Sequence, residues 1–183
     1  MVFLIAAAVA LRASNEEARW SLTLAALFFS LLGDVFLMLR RERFLAGLWS
    51  FLFAHLAYVL AFDTLAVDRA TVAVGAIVLT GGSVLMIRMI RGMQRRGRGA
   101  LAIPVCLYQL SLAAMVTSAL LTPFRDGWDG RHAAMAVAGA VLFMTSDGLI
   151  GWTRFVKDYP WGKVAIAVTY HVAQALLVLA LLA

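Results

Sequence analysis

A chain of 183 residues that is 63% hydrophobic and only 14% charged lacks the polar surface of a water-soluble domain, whose charged share is about 25%. The net charge of +6 lies in short loops between apolar runs, which points to membrane topology and anionic headgroups and away from nucleic acid. A single cysteine, Cys106, excludes an intramolecular disulfide.

Seven apolar runs follow one another with no linker long enough to divide them. The expectation is therefore all-α: one polytopic transmembrane helix bundle over residues 1–183, with seven spans as written. The first run, about 1–12, lacks a basic leading region and a convincing cleavage site, so it reads as a short or truncated span and not a signal peptide. At 1.5 Å per residue it is too short for a hydrocarbon core of ~30 Å. The second run, about 19–39, carries Asp34 inside LFFSLLGDVFLML. The third, about 44–62, presents His55 and Tyr58 at i, i+3. The fourth, about 70–88, holds Gly81, Gly82 and Ser83, small residues of the kind that let helices approach closely in lipid.

The fifth run, about 100–122, has Pro104 in its first turn, where proline is tolerated, and then Tyr108 and Gln109. The sixth, about 131–152, carries Ser146 and Asp147 inside VAGAVLFMTSDGLIG, with Gly139, Gly148 and Gly151 as further small packing residues. In the seventh, about 163–183, Tyr170 and Gln174 share a face that His171 borders. Trp20, Trp49, Trp128, Trp152 and Trp161 lie near run ends, as interface anchors do. Asp63, Asp68, Asp126, Asp129 and Asp158 fall at loops, where water solvates them.

Even-numbered loops hold eleven Lys and Arg and odd-numbered loops five. The positive-inside rule places the even loops in the cytoplasm. Arg88, Arg91, Arg95, Arg96 and Arg98 read first as an orientation signal and second as headgroup ligands. Asp34 then lies six residues before Arg40, about 9 Å inside the cytoplasmic boundary. Asp147 lies seven before Arg154, at about 10 Å. A carboxylate in hydrocarbon costs several kcal/mol unless it is protonated, paired or hydrated, and such residues mark functional sites by default. Two acids at one depth predict a polar site about a third of the way into the bilayer. His55, Tyr58, Tyr108, Ser146, Tyr170, His171 and Gln174 are its candidate binding or orienting groups. Each also has a plainer reading, as a packing histidine, an interface aromatic or interhelical glue.

Familiar soluble chemistries are missing. The sequence has no HExxH, no cysteine cluster, no GxSxG elbow, no Walker A and no GxGxxG. No metal and no cofactor are expected.

SLLGDVFLML followed by FLAGLWSFLFAHLAYVLAF resembles the first signature region of the YhhN-like lysoplasmalogenase family, and LFMTSDGLIGWTRF followed by TYHVAQALL resembles its second. The likeness covers runs two, three, six and seven; the middle of the chain matches mainly in hydropathy. Family members follow an eight-helix pattern, and the expectation here is that its first helix, with the Lys-Pro pair that commonly follows, is missing. The resemblance implies hydrolysis of the vinyl-ether bond of a lysoplasmalogen to a fatty aldehyde and glycerophosphoethanolamine or glycerophosphocholine. It implies Asp34 and Asp147 as the catalytic dyad.

The chemistry suits two carboxyls. A vinyl ether must be protonated on carbon, and the resulting oxocarbenium-like cation then takes up water. Glycoside hydrolysis makes a similar demand, met by one carboxyl as acid and another as charge stabiliser or base. One Asp protonated while its partner is ionised would satisfy both roles. Arg40, Arg41, Arg43, Arg154 and Lys157 are placed to hold a headgroup phosphate, with orientation alone as their plainer reading. The expected partners are thus a single-chain ether phospholipid and the surrounding membrane lipids. The expected setting is a bacterial inner membrane, with the site opening toward the cytoplasmic leaflet. A competing reading is a lipid or small-solute transporter that uses Asp34 and Asp147 as proton relays. An intramembrane aspartyl protease has only the Gly33–Asp34 pair in its favour.

Overall fold

A computed structural model describes residues 1–10, 17–39, 43–64, 66 and 68–182. The regular elements among them are seven α-helices: α1 (Val2–Ala10), α2 (Glu17–Met38), α3 (Phe44–Phe62), α4 (Arg69–Arg95), α5 (Ala102–Leu121), α6 (Gly130–Phe155) and α7 (Gly162–Leu182). Short 3-10 turns, Gly99–Leu101 and Thr122–Phe124, flank α5. Six helices, α2 to α7, are long and apolar enough to cross a membrane. The protein is an integral membrane helix bundle. Helix α1, at nine residues, is too short to span alone.

The apolar runs locate the helices, but charge does not end them. The fourth run stops at 88, whereas α4 continues to Arg95. Its last turns, RMIRGMQR, are mostly strong helix formers, so the helix carries its arginines about 10 Å past the apolar segment. Two loop aspartates also do more than meet solvent. Asp68 caps α4, accepting from the Thr71 amide at 2.8 Å, and Arg125 donates to it at 2.6 Å. The Thr71 amide, then the Arg125 guanidinium, hold its carboxyl down at about 2. Asp129 caps α6 through the Arg131 and His132 amides.

Helices α2 and α3 pair along their lengths, as do α6 and α7, and α5 packs between α3 and α4. Phe62, Leu112, Met115, Phe143 and Leu177 fill the centre. Close approach depends on particular glycines. A Cβ on Gly139 would lie 3.1 Å from the Ala173 carbonyl oxygen, and one on Gly33 would enter the Phe51 ring. Gly81 and Gly82 behave otherwise than the sequence suggests. Nothing lies within 4 Å of a Cβ at Gly81, and Gly82 meets only the Gln109 amide nitrogen at 3.4 Å. They face open space, because α4 is turned mostly outward: of its 27 residues only Val78, Met89 and Met93 are buried.

Candidate active site

Asp147 sits on α6 at the wall of a cavity formed by α3, α4, α5 and α6 with Leu37 of α2. The cavity has an empty volume of about 610 Å³, part of it open to the outside, and its lining is otherwise almost wholly apolar. Phe51, Leu85, Met89 and Phe155 form much of the wall. Tyr108, on the facing helix α5, donates its hydroxyl proton to Asp147 Oδ2 at 2.5 Å. His55, fully buried on α3, brings Nε2 to 3.9 Å from the same oxygen. That distance is too long for a hydrogen bond.

The His55 tautomer follows from proton counting. Ser111 has one hydroxyl proton and gives it to the Tyr108 carbonyl oxygen at 2.7 Å. Its oxygen is then left to accept from His55 Nδ1, 3.3 Å away. With the proton on Nδ1, Nε2 carries a lone pair. This nitrogen is buried and has no hydrogen-bond partner. A buried acceptor without a donor costs about 1–3 kcal/mol, so an imidazole nitrogen held unpaired beside a carboxyl calls for an explanation beyond packing. Two ring contacts, to Tyr108 at 5.1 Å and to Phe143 at 5.2 Å, fix the imidazole plane.

Asp34 stands apart from this group. It is half-buried on α2 and accepts from the Tyr170 hydroxyl at 3.2 Å. Among the hydrogen bonds of the described residues, none joins the two carboxylates. Tyr170 packs edge-on against Phe51 at 6.0 Å and against Phe143 at 5.6 Å. Phe51 is also cavity wall, as is Leu37, one turn beyond Asp34 on α2, whereas Asp34 itself does not line the cavity.

The other candidates divide into three groups. Tyr58 and Gln174 are fully buried and bonded to each other, hydroxyl to Oε1, at 2.5 Å. Gln174 Nε2 continues to Ser30 Oγ at 3.0 Å, tying α3, α7 and α2 together. Tyr58→Phe should therefore destabilise the protein by about 1–3 kcal/mol, because Gln174 keeps a buried acceptor and loses its donor. Thermal unfolding in detergent reads this, and an unchanged midpoint would strip the network of that importance. Ser146 is buried and donates to the Ile166 carbonyl oxygen at 3.2 Å, which joins α6 to α7. His171 is exposed and pairs Nδ1 with its own helix at Ala167, 2.8 Å away.

At the end of the bundle nearer the cavity, Arg43, Arg98 and Arg154 line a crevice of about 990 Å³. The crevice and the cavity share Phe44. The Arg154 guanidinium carbon lies 4.1 Å from the centre of the Phe44 ring. Of the other expected phosphate ligands, Lys157 is exposed and does not line this crevice, and Arg40 and Arg41 lie outside the described residues. Ser111 and Arg98 were not singled out from the sequence as site residues. Ser111 had a signal, one turn beyond Tyr108 on the same helix, but serines are ordinary in spanning helices. Arg98 was indistinguishable from four neighbouring arginines until the turn after α4 aimed it at this crevice. Among the described residues no group of three His, Cys, Asp or Glu is close enough to hold a metal ion.

Comparison with known proteins agrees with the motifs. The chain is 32% identical to lysoplasmalogenase TMEM86B of Mus musculus over 171 residues, covering 93% of this chain and 67% of that one. It is 32% identical to a lysoplasmalogenase of Mycobacterium tuberculosis (strain CDC 1551 / Oshkosh) over 183 residues, covering 97% and 66%. Against lysoplasmalogenase TMEM86B of Homo sapiens it is 31% identical over 157 residues, covering 86% and 62%. The chain thus spans roughly two thirds of the length of the relatives it matches. No solved structure matches it. The YhhN family is matched across residues 1–181, and the chain belongs to that family.

Proposed function

We propose that this protein is a lysoplasmalogenase-like membrane hydrolase. It cleaves the vinyl-ether bond of a single-chain alkenyl glycerophospholipid, with Asp147 as the proton donor and without metal or cofactor. The observation that carries the reading is the trio at the cavity wall: a carboxyl that borders the space, held by Tyr108, with the unpaired imidazole nitrogen of the buried His55 behind it at 3.9 Å.

The steps balance as follows. Asp147 delivers its proton to the outer alkenyl carbon, and the double-bond electrons form the new C–H bond. Positive charge appears on the inner carbon and its ether oxygen. Water adds to that carbon and gives a proton to the Asp147 carboxylate or to His55 Nε2. The hemiacetal then collapses: its hydroxyl proton is taken up by the Asp147–His55 pair as the pair returns one proton to the glycerol oxygen, the C–O bond to glycerol breaks, and aldehyde and alcohol leave with Asp147 protonated again. Tyr108 keeps one Asp147 oxygen occupied and so selects which oxygen faces the substrate. Asp34, bonded to the Tyr170 hydroxyl, acts as a second negative charge that favours the cation and as a positioning group for Tyr170. The headgroup phosphate lies among Arg43, Arg98 and Arg154, with Arg40 and Arg41 as further cations on the same loop. This orientation opens the site toward the cytoplasmic leaflet.

The test is direct. Purified protein is incubated in turn with 1-alkenyl, 1-alkyl and 1-acyl lysophospholipids. Aldehyde from the alkenyl lipid, with neither of the others cleaved, supports the reading. No aldehyde from folded protein favours the transporter instead. Asp34→Asn should reduce turnover by about 10²-fold or less, the scale of a displaced positioning group. A larger loss, equal to that of Asp147→Asn, would put Asp34 at the reacting atoms.

A further inference from the structure

The cavity at Asp147 does not end there. A second space, about 1210 Å³, runs along the outer face of α4, α5 and α6. Leu85, Gln109 and Gly148 line both spaces, so the two adjoin across these side chains. From Gln109 to Leu120 the groove follows eleven residues of α5, about 16 Å at the helical rise.

The helices make the groove in a simple way. At one end α4 presses on α6: a Cβ on Gly151 would meet the Met89 side chain at 2.3 Å, and one on Gly92 the Phe155 carbonyl oxygen at 2.0 Å. Further along, Gly81 and Gly82 put no side chain into the gap, and α4 does not close. Ile77, Val141 and Thr145 border the opening and are exposed. The lining is overwhelmingly apolar, with the Gln109 amide at the junction with the cavity. An independent sign of a ligand is the buried, unpaired His55 Nε2, 3.9 Å from the Asp147 carboxyl that lines the inner end of this path.

We infer that the groove between α4, α5 and α6 is the binding site for the hydrocarbon chain of a single-chain lysophospholipid, and that Gly81 and Gly82 set the length and bulk of chain it accepts. The inference rests on the proposed reading for its direction: polar end at the arginines, scissile bond at Asp147, tail in the groove. Diacyl lipids are a poor fit, since a groove occupied by one chain leaves the second to lie outside it.

The experiment uses the full chain in nanodiscs and two readouts. The first is binding. A 1-O-alkyl lysophospholipid with a photoreactive diazirine at mid-chain is irradiated, and adducts are mapped by mass spectrometry. Adducts on Ile77, Gly81, Val141 or Thr145, displaced by unlabelled lysophospholipid but not by diacyl phospholipid, support the site. Adducts spread over all outward helix faces, or displaced equally by diacyl lipid, overturn it. The second readout is selectivity. Gly81→Leu should lower the ratio of long-chain to short-chain kcat/KM by at least about tenfold, the scale of a lost fit for a few methylenes. Ile77→Trp, nearer the far end, should affect only the longest chains. An unchanged ratio in both variants overturns the inference while leaving hydrolysis standing. If no lipid is hydrolysed, the hydrolase reading falls, and the adduct map alone decides the groove.

Discussion

Asp147→Asn is expected to lower aldehyde release by about 10³-fold or more, within the 10²–10⁴ range of a lost general acid, and to leave the protein folded. The substitution removes the donated proton and little else. The Asn oxygen still accepts from the Tyr108 hydroxyl, which now bonds Asp147 at 2.5 Å. The Asn nitrogen takes the Oδ1 position, because Oδ2 is the oxygen that meets both Tyr108 and, at 3.9 Å, His55 Nε2. A carboxyl near hydrocarbon is replaced by an amide that costs less to bury. The midpoint of thermal unfolding should therefore hold or rise as turnover collapses. A variant with both low turnover and a lower midpoint would show a structural acid, and one with parental turnover would remove Asp147 from the chemistry.

Gly92→Ala is expected to produce the largest loss of stability from one added methyl group. The new carbon would lie 2.0 Å from the Phe155 carbonyl oxygen and 2.9 Å from its carbon. Both are backbone atoms and cannot rotate away, so α4 must move off the end of α6. That end is a junction: Phe155 is buried against Met89 and Met93, its ring meets Phe44 at 5.7 Å, and Arg96 donates to the Arg154 and Val156 carbonyl oxygens. Overpacking of this kind costs about 1–3 kcal/mol or more. For a chain of this size that is roughly 2–4 °C of melting temperature per kcal/mol. Because Phe44, Met89 and Phe155 also line the cavity, KM should rise with the loss of stability. Gly81→Ala is the control: its methyl meets nothing within 4 Å, and the midpoint should not fall. Equal midpoints for the two variants would mean that α4 does not bear on α6 at Gly92.

The contrast between those glycines shows what a sequence can carry. Hydropathy located every spanning helix, because lipid demands long apolar runs and loops between them. The two acids and the His55, Tyr108 and Tyr170 positions were legible for the same reason: polar groups in such runs stand out. What they bond to was not. Asp34 and Asp147 match in depth, which suggests a dyad sharing one proton, yet depth fixes only one coordinate. Rotation about the helix axes decides the rest: it bonds Asp34 to Tyr170 and Asp147 to Tyr108, and only Asp147 of the two lines the cavity. Rotation also turns His171 outward although it follows Tyr170 directly. Gly81 and Gly92 look alike in sequence; one faces a groove and the other a carbonyl group, since only packing tells a small residue that is needed from one that leaves a gap. The end of α4 was misjudged because charge ends an apolar run without ending a helix.

The central claim is that a proton from the protein is placed on the alkenyl carbon. Turnover in D2O, with the aldehyde trapped at once by reduction to the alcohol, tests it most directly. The claim predicts one deuterium on the carbon next to the former carbonyl carbon in every product molecule. An alcohol with no deuterium there would mean that the bond breaks without protonation of the double bond, and the role assigned to Asp147 would be wrong.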